Sequence, residues 1–184
     1  FSEKVKILYQ YGVKTEVKKE KAADVTEPFN IYISGIDVDG PITTNSRSDV
    51  NLIMTVNPQT KKILLTTTPR DYYVTIPEVS GEKRDKLTHA GIYGVDRSMA
   101  TLENLYGIDI NYYARINFTS LVKIVDALGG VDVDSDYEFT TLHGNYKINK
   151  GMNHLNGEQA LGFARERYSF EEGDNQRGRD QEKV

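Results

Sequence analysis

The sequence has no cysteine, which excludes a disulfide framework and any thiolate metal site. It lacks an apolar run of about 18 residues, the length needed to cross a bilayer as a helix. Residues 1–29 contain no continuous apolar core, so they are not a signal peptide. A basic surplus is missing too: 23 Lys and Arg stand against 27 Asp and Glu, for a net charge of −4. Without that surplus, and without a helix-turn-helix pattern, binding to nucleic acid is not expected. There is no GxSxG elbow, P-loop or dinucleotide fingerprint, and there are no internal repeats. Three histidines, His89, His143 and His154, show no ligand spacing, and each reads as an ordinary polar surface or core residue.

What remains is enough for one globular domain: 184 residues, 38% of them hydrophobic, can bury a sizeable core. Residues 1–27 are lysine-rich and read as a solvated helix or linker, or the end of an accessory region, ahead of a domain spanning 28–184. "FNIYISGI" (29–36) alternates as a strand, and "DVDGPITTNS" is a loop. "SDVNLIMTVN" and "KKILLTTTP" follow as strands around a turn at Asn57-Pro58, then "DYYVTIP" as a short fourth. Helical spacing over 90–107 puts Ile92, Val95, Met99, Leu102 and Leu105 on one face. After the strand "YYARINF" comes a helix closed by Gly129 and Gly130. A brief strand "VDVDS", a hairpin turning near residues 143–145 and a capped helix "NGEQALGFAR" complete the run. Both ends stop mid-pattern, so a membrane anchor and the rest of a C-terminal helix are expected outside this chain. The alternation predicts an α/β fold: a mixed central β-sheet between helical layers, an αβα sandwich.

The charged residues are unevenly placed. Asp37 lies just past the first strand, and Arg47 and Asp49 stand where the second begins. An antiparallel pairing would bring these ends to one sheet edge, where Asp37 and Asp49 could share a hard cation. Magnesium favours one or two carboxylates, with water and phosphate completing its octahedron. "DVDG" also admits a calcium-type turn, although it lacks EF-hand spacing. Arg70, after the third strand, falls at the same edge. Near the C-terminus Arg165, Arg167, Arg177 and Arg179 are interleaved with acids. On an extended segment Arg165 and Arg167 share a face, with Glu166 opposite. Asp174 suits an N-cap. On the helix after it, Arg177 and Gln181 lie about 40° apart, whereas Arg179 is about 160° from Arg177 and faces away. Planar guanidinium forks match phosphate oxygens in a way lysine does not. Solvated surface ion pairs explain any one of these residues. The whole pattern points to a pyrophosphate site.

"ISGIDVDG", "TTNSRSDVNLIMTVNP", "KILLTTTPRDYYVTIP", "INFTSLVKIVDALGGVDVD" and "LNGEQALGFARERYSFEEGDNQRGRDQEKV" together resemble the LytR-CpsA-Psr family, closest to its streptococcal capsule-biosynthesis members. The resemblance runs from about Asn30 to the last residue. It implies a membrane-anchored, extracytoplasmic phosphotransferase. Such an enzyme moves a glycopolymer from a polyprenyl-pyrophosphate carrier onto peptidoglycan. It further implies Asp37 and Asp49 as magnesium ligands, Arg70, Arg165, Arg167, Arg177 and Gln181 at the pyrophosphate, and Arg47 as a catalytic arginine. Asp174 is a supporting residue, Asp37 a candidate base, and an apolar pocket holds the prenyl tail. Many members end the last motif with two glutamines, where here Glu182 follows Gln181. Hydrolysis of the carrier pyrophosphate, or lipid binding and regulation without turnover, would use the same residues.

Overall fold

The computed structural model describes residues 14–17, 26–36, 42, 44–166 and 174–184; the side chains of residues 14–17, 174 and 175 lie outside that description. Two compact units are described, Val13–Asn117 and, among described residues, Phe118–Val184.

The first unit is built on a five-stranded sheet in the order β1-β7-β2-β3-β4. Its strands are β1 (Lys14–Val17), β2 (Phe29–Ile36), β3 (Ser48–Asn57), β4 (Lys62–Thr67) and β7 (Tyr112–Asn117). β2 pairs antiparallel with β3 and parallel with β7, so the sheet is mixed as the sequence predicts. Alternation along β2 drives the packing: Tyr32, Ser34 and Ile36 are buried on one face. β5 (Tyr73–Thr75) and β6 (Arg84–Lys86) form a separate ribbon. A short helix α1 (Leu87–Ala90), a single 3₁₀ turn and helix α2 (Val95–Tyr106) follow. Tyr32, Ile53, Val74, Leu87, Met99, Leu102, Ile110 and Tyr113 form the core, with Val95 and Leu105 packed against it. Ile92 is 44% exposed. It belongs to the 3₁₀ turn before the helix, which breaks the expected five-residue stripe there.

β1 corrects the linker reading, because Lys14–Val17 pairs antiparallel with β7, Lys14 opposite Arg115. Four residues carrying two charges give no apolar alternation to read, yet charged short strands are what sheet edges tolerate.

The second unit packs α3 (Phe118–Ala127) against α4 (Gly157–Arg165) and carries α5 (Asp174–Lys183). The expected C-cap after α3 is present: Gly129 and Gly130 hold positive φ of 85° and 102°, which side-chain-bearing residues resist. β8 (Val131–Ser135) pairs with β11 (Gly151–Leu155), and β9 (Phe139–Thr140) with β10 (Lys147–Ile148) in the expected hairpin. β11 escaped the sequence reading because "GMNHL" shows neither β-branching nor a bounding turn of its own. Asn156 caps α4 in a reciprocal box with Gln159, each bond 3.0 Å long. Val125, Val133, Phe139, Ile148, Leu155, Ala160 and Phe163 form this unit's core.

Candidate functional site

In the first unit the antiparallel β2–β3 pair ends where the sequence places its carboxylates. Ile36, the residue before Asp37, faces Ser48, and Gly35 faces Val50, so the register slips and Asp49 is the extra residue of a β-bulge. A bulge re-aims its side chain out of the alternating pattern. Gly35 permits the close approach, since a Cβ there would lie 2.7 Å from that of Val50. β4 runs antiparallel to β3, and the Thr68 N–H donates to the Asn51 carbonyl at 2.8 Å, which carries the chain to the same edge. Arg70 Nη1 then donates to Asp49 Oδ1 at 3.1 Å.

The two side chains open onto a pocket of about 540 Å³, lined by Ser46, Arg47, Asp49, Arg70, Asp71, Lys86, Thr88 and His89. Its lining is polar and charged. Lys86 Nζ donates to Asp71 at 2.6 Å and, with help from Arg70, holds that carboxyl below its usual range. Thr88 Oγ1 is buried and finds no hydrogen-bond partner among the described residues, an orphan that a ligand oxygen would satisfy. Below the pocket, Tyr32 Oη donates to Asn51 Oδ1 at 2.7 Å and Asn51 Nδ2 to the Ser48 carbonyl at 3.1 Å, fixing the start of β3. Arg115, buried on β7, donates through Nη2 to the Thr44 carbonyl at 2.9 Å and ties down the loop before Arg47.

Asp37 lies outside the described residues. Among those described, no group of three His, Asp or Glu side chains forms a metal cage. Magnesium does not require one: carboxylates at Asp49 and Asp37, water and ligand phosphate would complete its shell.

In the second unit Arg165 is the last residue of α4, not part of an extended segment; the chain becomes extended only at Glu166, with φ −65° and ψ 135°. The helix ends where "NGEQALGFAR" ends, and its buried face runs from Ala160 to Ala164. The Arg165 guanidinium stacks over the Phe118 ring at 4.2 Å, and its Nη1 lies 3.2 Å from His143 Nε2. Glu166 is 3% exposed, and its carboxylate accepts the Leu142 N–H at 2.7 Å. Gln181 Nε2 donates to the Ala164 carbonyl at 3.3 Å, placing it beside Arg165. Arg177, one turn earlier on α5, is half-buried like Gln181, while Arg179 is exposed. Asp174 is the first helical residue rather than the one preceding the helix. Arg167 is outside the described residues.

α5 also buries an acid. Asp180 is 1% exposed, accepts from Gln176 Nε2 at 2.9 Å, and is pushed up to about 6 by burial. The folded state then holds this proton more tightly than the unfolded chain, so this group's contribution to stability is fully present at acidic pH and is lost as pH rises from about 4 to 6. Asp180→Asn should raise the melting temperature at pH 7, removing a penalty of roughly 2–3 kcal/mol, and change little at pH 4. Equal melting shifts at both pH values would contradict this.

Sequence reasoning missed Asp71, Lys86, Thr88, His89 and Arg115 in the first unit, and His143 in the second. The one local signal was the four-residue spacing of Asp85 and His89, which places them on one side of a turn.

This chain belongs to the LytR_cpsA_psr family, matching it over residues 2–184. It is 40% identical over 160 residues to the polyisoprenyl-teichoic acid–peptidoglycan teichoic acid transferase TagU of Bacillus cereus, a match covering 86% of this chain and 49% of that protein. The chain thus spans about half the length of the curated relatives it matches. Among solved structures it resembles TagV of B. subtilis with a TM-score of 0.77 at 30% identity, covering 86% of this chain and 62% of that one. It also resembles the LytR-CPS2A-psr family protein YwtF (TagT) with bound octaprenyl pyrophosphate lipid, with a TM-score of 0.71 at 32% identity over 91% of this chain and 66% of that one.

Proposed function

We propose that the protein is a phosphotransferase that moves a cell-wall or capsular glycopolymer from a polyprenyl-pyrophosphate carrier onto peptidoglycan, at the outer face of the membrane. The observation that carries this reading is the Arg70–Asp49 pair at the mouth of a polar pocket also lined by Arg47. Family membership supports it, as do a relative named for teichoic acid transfer and a neighbour holding a polyprenyl pyrophosphate.

Arg47 and Arg70 bind diphosphate oxygens through paired N–H donors. In the second unit Arg165, Arg167 and Arg177 offer guanidinium donors and Gln181 a neutral donor suited to phosphate oxygens, with Asp174 as a supporting residue. Asp37 and Asp49 are the residues that would hold magnesium, which when bound would neutralise charge on the diphosphate. The acceptor hydroxyl attacks the sugar-linked phosphorus. A new P–O bond forms as the bond to the bridging oxygen breaks, and polyprenyl phosphate leaves with its charge stabilised by the arginines. The hydroxyl proton passes to a base in the pocket.

The test is a transfer assay with a polyprenyl-pyrophosphate-linked oligosaccharide and peptidoglycan. Saccharide-bearing peptidoglycan and polyprenyl phosphate are the expected products, lost with EDTA and restored by magnesium. Released saccharide phosphate with no labelled peptidoglycan would instead identify a hydrolase.

A further inference from the structure

The pocket contains a histidine whose geometry the diphosphate reading leaves unused. His89 sits on α1, whose flanking residues Leu87 and Ala90 are fully buried and fix the helix in the core. Two backbone bonds lock that helix to the arginine loop: the Leu87 N–H donates to the Tyr72 carbonyl and the Thr88 N–H to the Arg70 carbonyl, both at 2.8 Å. His89 therefore keeps its place relative to Arg70, and it lines the same pocket as Arg70 and Asp49.

Its Nδ1 lies 2.8 Å from Asp85 Oδ1. That oxygen also accepts the Lys86 backbone N–H at 2.7 Å. Asp85 is held below its usual carboxylate range, first by the Lys86 backbone bond and then by His89, so it is ionised and can only accept. The proton of a neutral imidazole must then reside on Nδ1, which leaves the Nε2 lone pair available. This is how a carboxylate fixes the tautomer and orientation of a histidine that takes protons.

We propose that His89 is the general base of the transfer, taking the proton of the attacking hydroxyl on Nε2 while Asp85 holds the ring. The step balances: the O–H bond breaks, its electron pair forms the new bond to phosphorus, the proton moves to Nε2, and the bridging oxygen leaves with polyprenyl phosphate. The inference rests on the transfer reading above. It gives His89 the role that the sequence offered to Asp37, which is left to the metal. The charged groups facing the ring are Asp85, Lys86, Arg47, Asp49, Arg70 and Asp71.

His89→Gln is assayed with the same lipid-linked donor across pH 5–9. Wild-type kcat should fall on the acidic side of the profile, as expected when the base is a side chain that must be unprotonated to act. His89→Gln should lower kcat by about a hundredfold or more, with KM for the donor near wild type, and should abolish that acid limb. Asp85→Asn should lower kcat less and displace the limb; it reads the same point should His89→Gln melt below the assay temperature. A His89→Gln enzyme that keeps the limb, or an Asp37 variant that alone removes it, overturns the proposal. So does a wild-type rate that rises on acidification, which would make His89 a cationic phosphate ligand. A wild-type enzyme with no transfer defeats the parent reading instead.

Discussion

Arg70→Ala is expected to lower kcat/KM for glycopolymer transfer by about a hundred- to a thousandfold, the usual effect of losing one charged donor to a transition-state oxyanion. The side chain is held from several directions. Its Nη1 bonds Asp49 at 3.1 Å, its Nε lies 3.5 Å from Asp71, and its carbonyl anchors α1. Removing it does more than delete a phosphate donor, because Asp49 and Asp71 would then face the substrate's diphosphate with less opposing charge. Arg70→Lys restores the charge but not the planar fork, so a partial recovery is expected. The side chain is 30% exposed, and its loss should leave the melting temperature near wild type. Full activity in Arg70→Ala, or recovery to wild-type rates in Arg70→Lys, would contradict a bidentate role.

Gly157→Ala should destabilise the second unit by about 1–3 kcal/mol, the range for forcing an added carbon into a packed contact. Gly157 opens α4 and lies directly against the backbone of α3: a Cβ there would overlap the Val122 carbonyl oxygen and come within 2.8 Å of its carbon and Cα. Backbone cannot swing aside as a side chain can. The Gly157 N–H also donates to Asp126 Oδ1 at 2.7 Å, so relief by shifting α4 would break that bond. At the other end of the same helix pair, Arg165 stacks on Phe118, the first residue of α3. Separating the helices should therefore move Arg165, and transfer should fall together with the denaturation midpoint. A variant with wild-type stability and activity would show that the contact is not tight.

Much of this was readable beforehand because the signals were local. Alternation in "FNIYISGI" marks a strand since one face of it is buried. The Asn156–Gln159 spacing marks a helix start because the two side chains satisfy each other's backbone. The convergence of Arg70 and Asp49 was also legible, because one antiparallel turn returns the chain to the same edge. Arg165 was also read with Arg167 on an extended segment because the two arginines stand two positions apart, a spacing that says nothing about the apolar helix face running up to Arg165.

By itself, the sequence determined the family, the mixed α/β architecture and the residue types able to grip a diphosphate. Each of these depends on composition and on neighbours a few positions apart. Tertiary structure alone decided that Asp49 stands on a bulge, that β1 joins the sheet, that Glu166 is buried against Leu142, and that an Asp85-oriented His89 shares a pocket with Arg70. These outcomes depend on strand register and on helices locked to distant loops, and no short-range pattern records how far a ladder has slipped or which carbonyl a distant N–H will find.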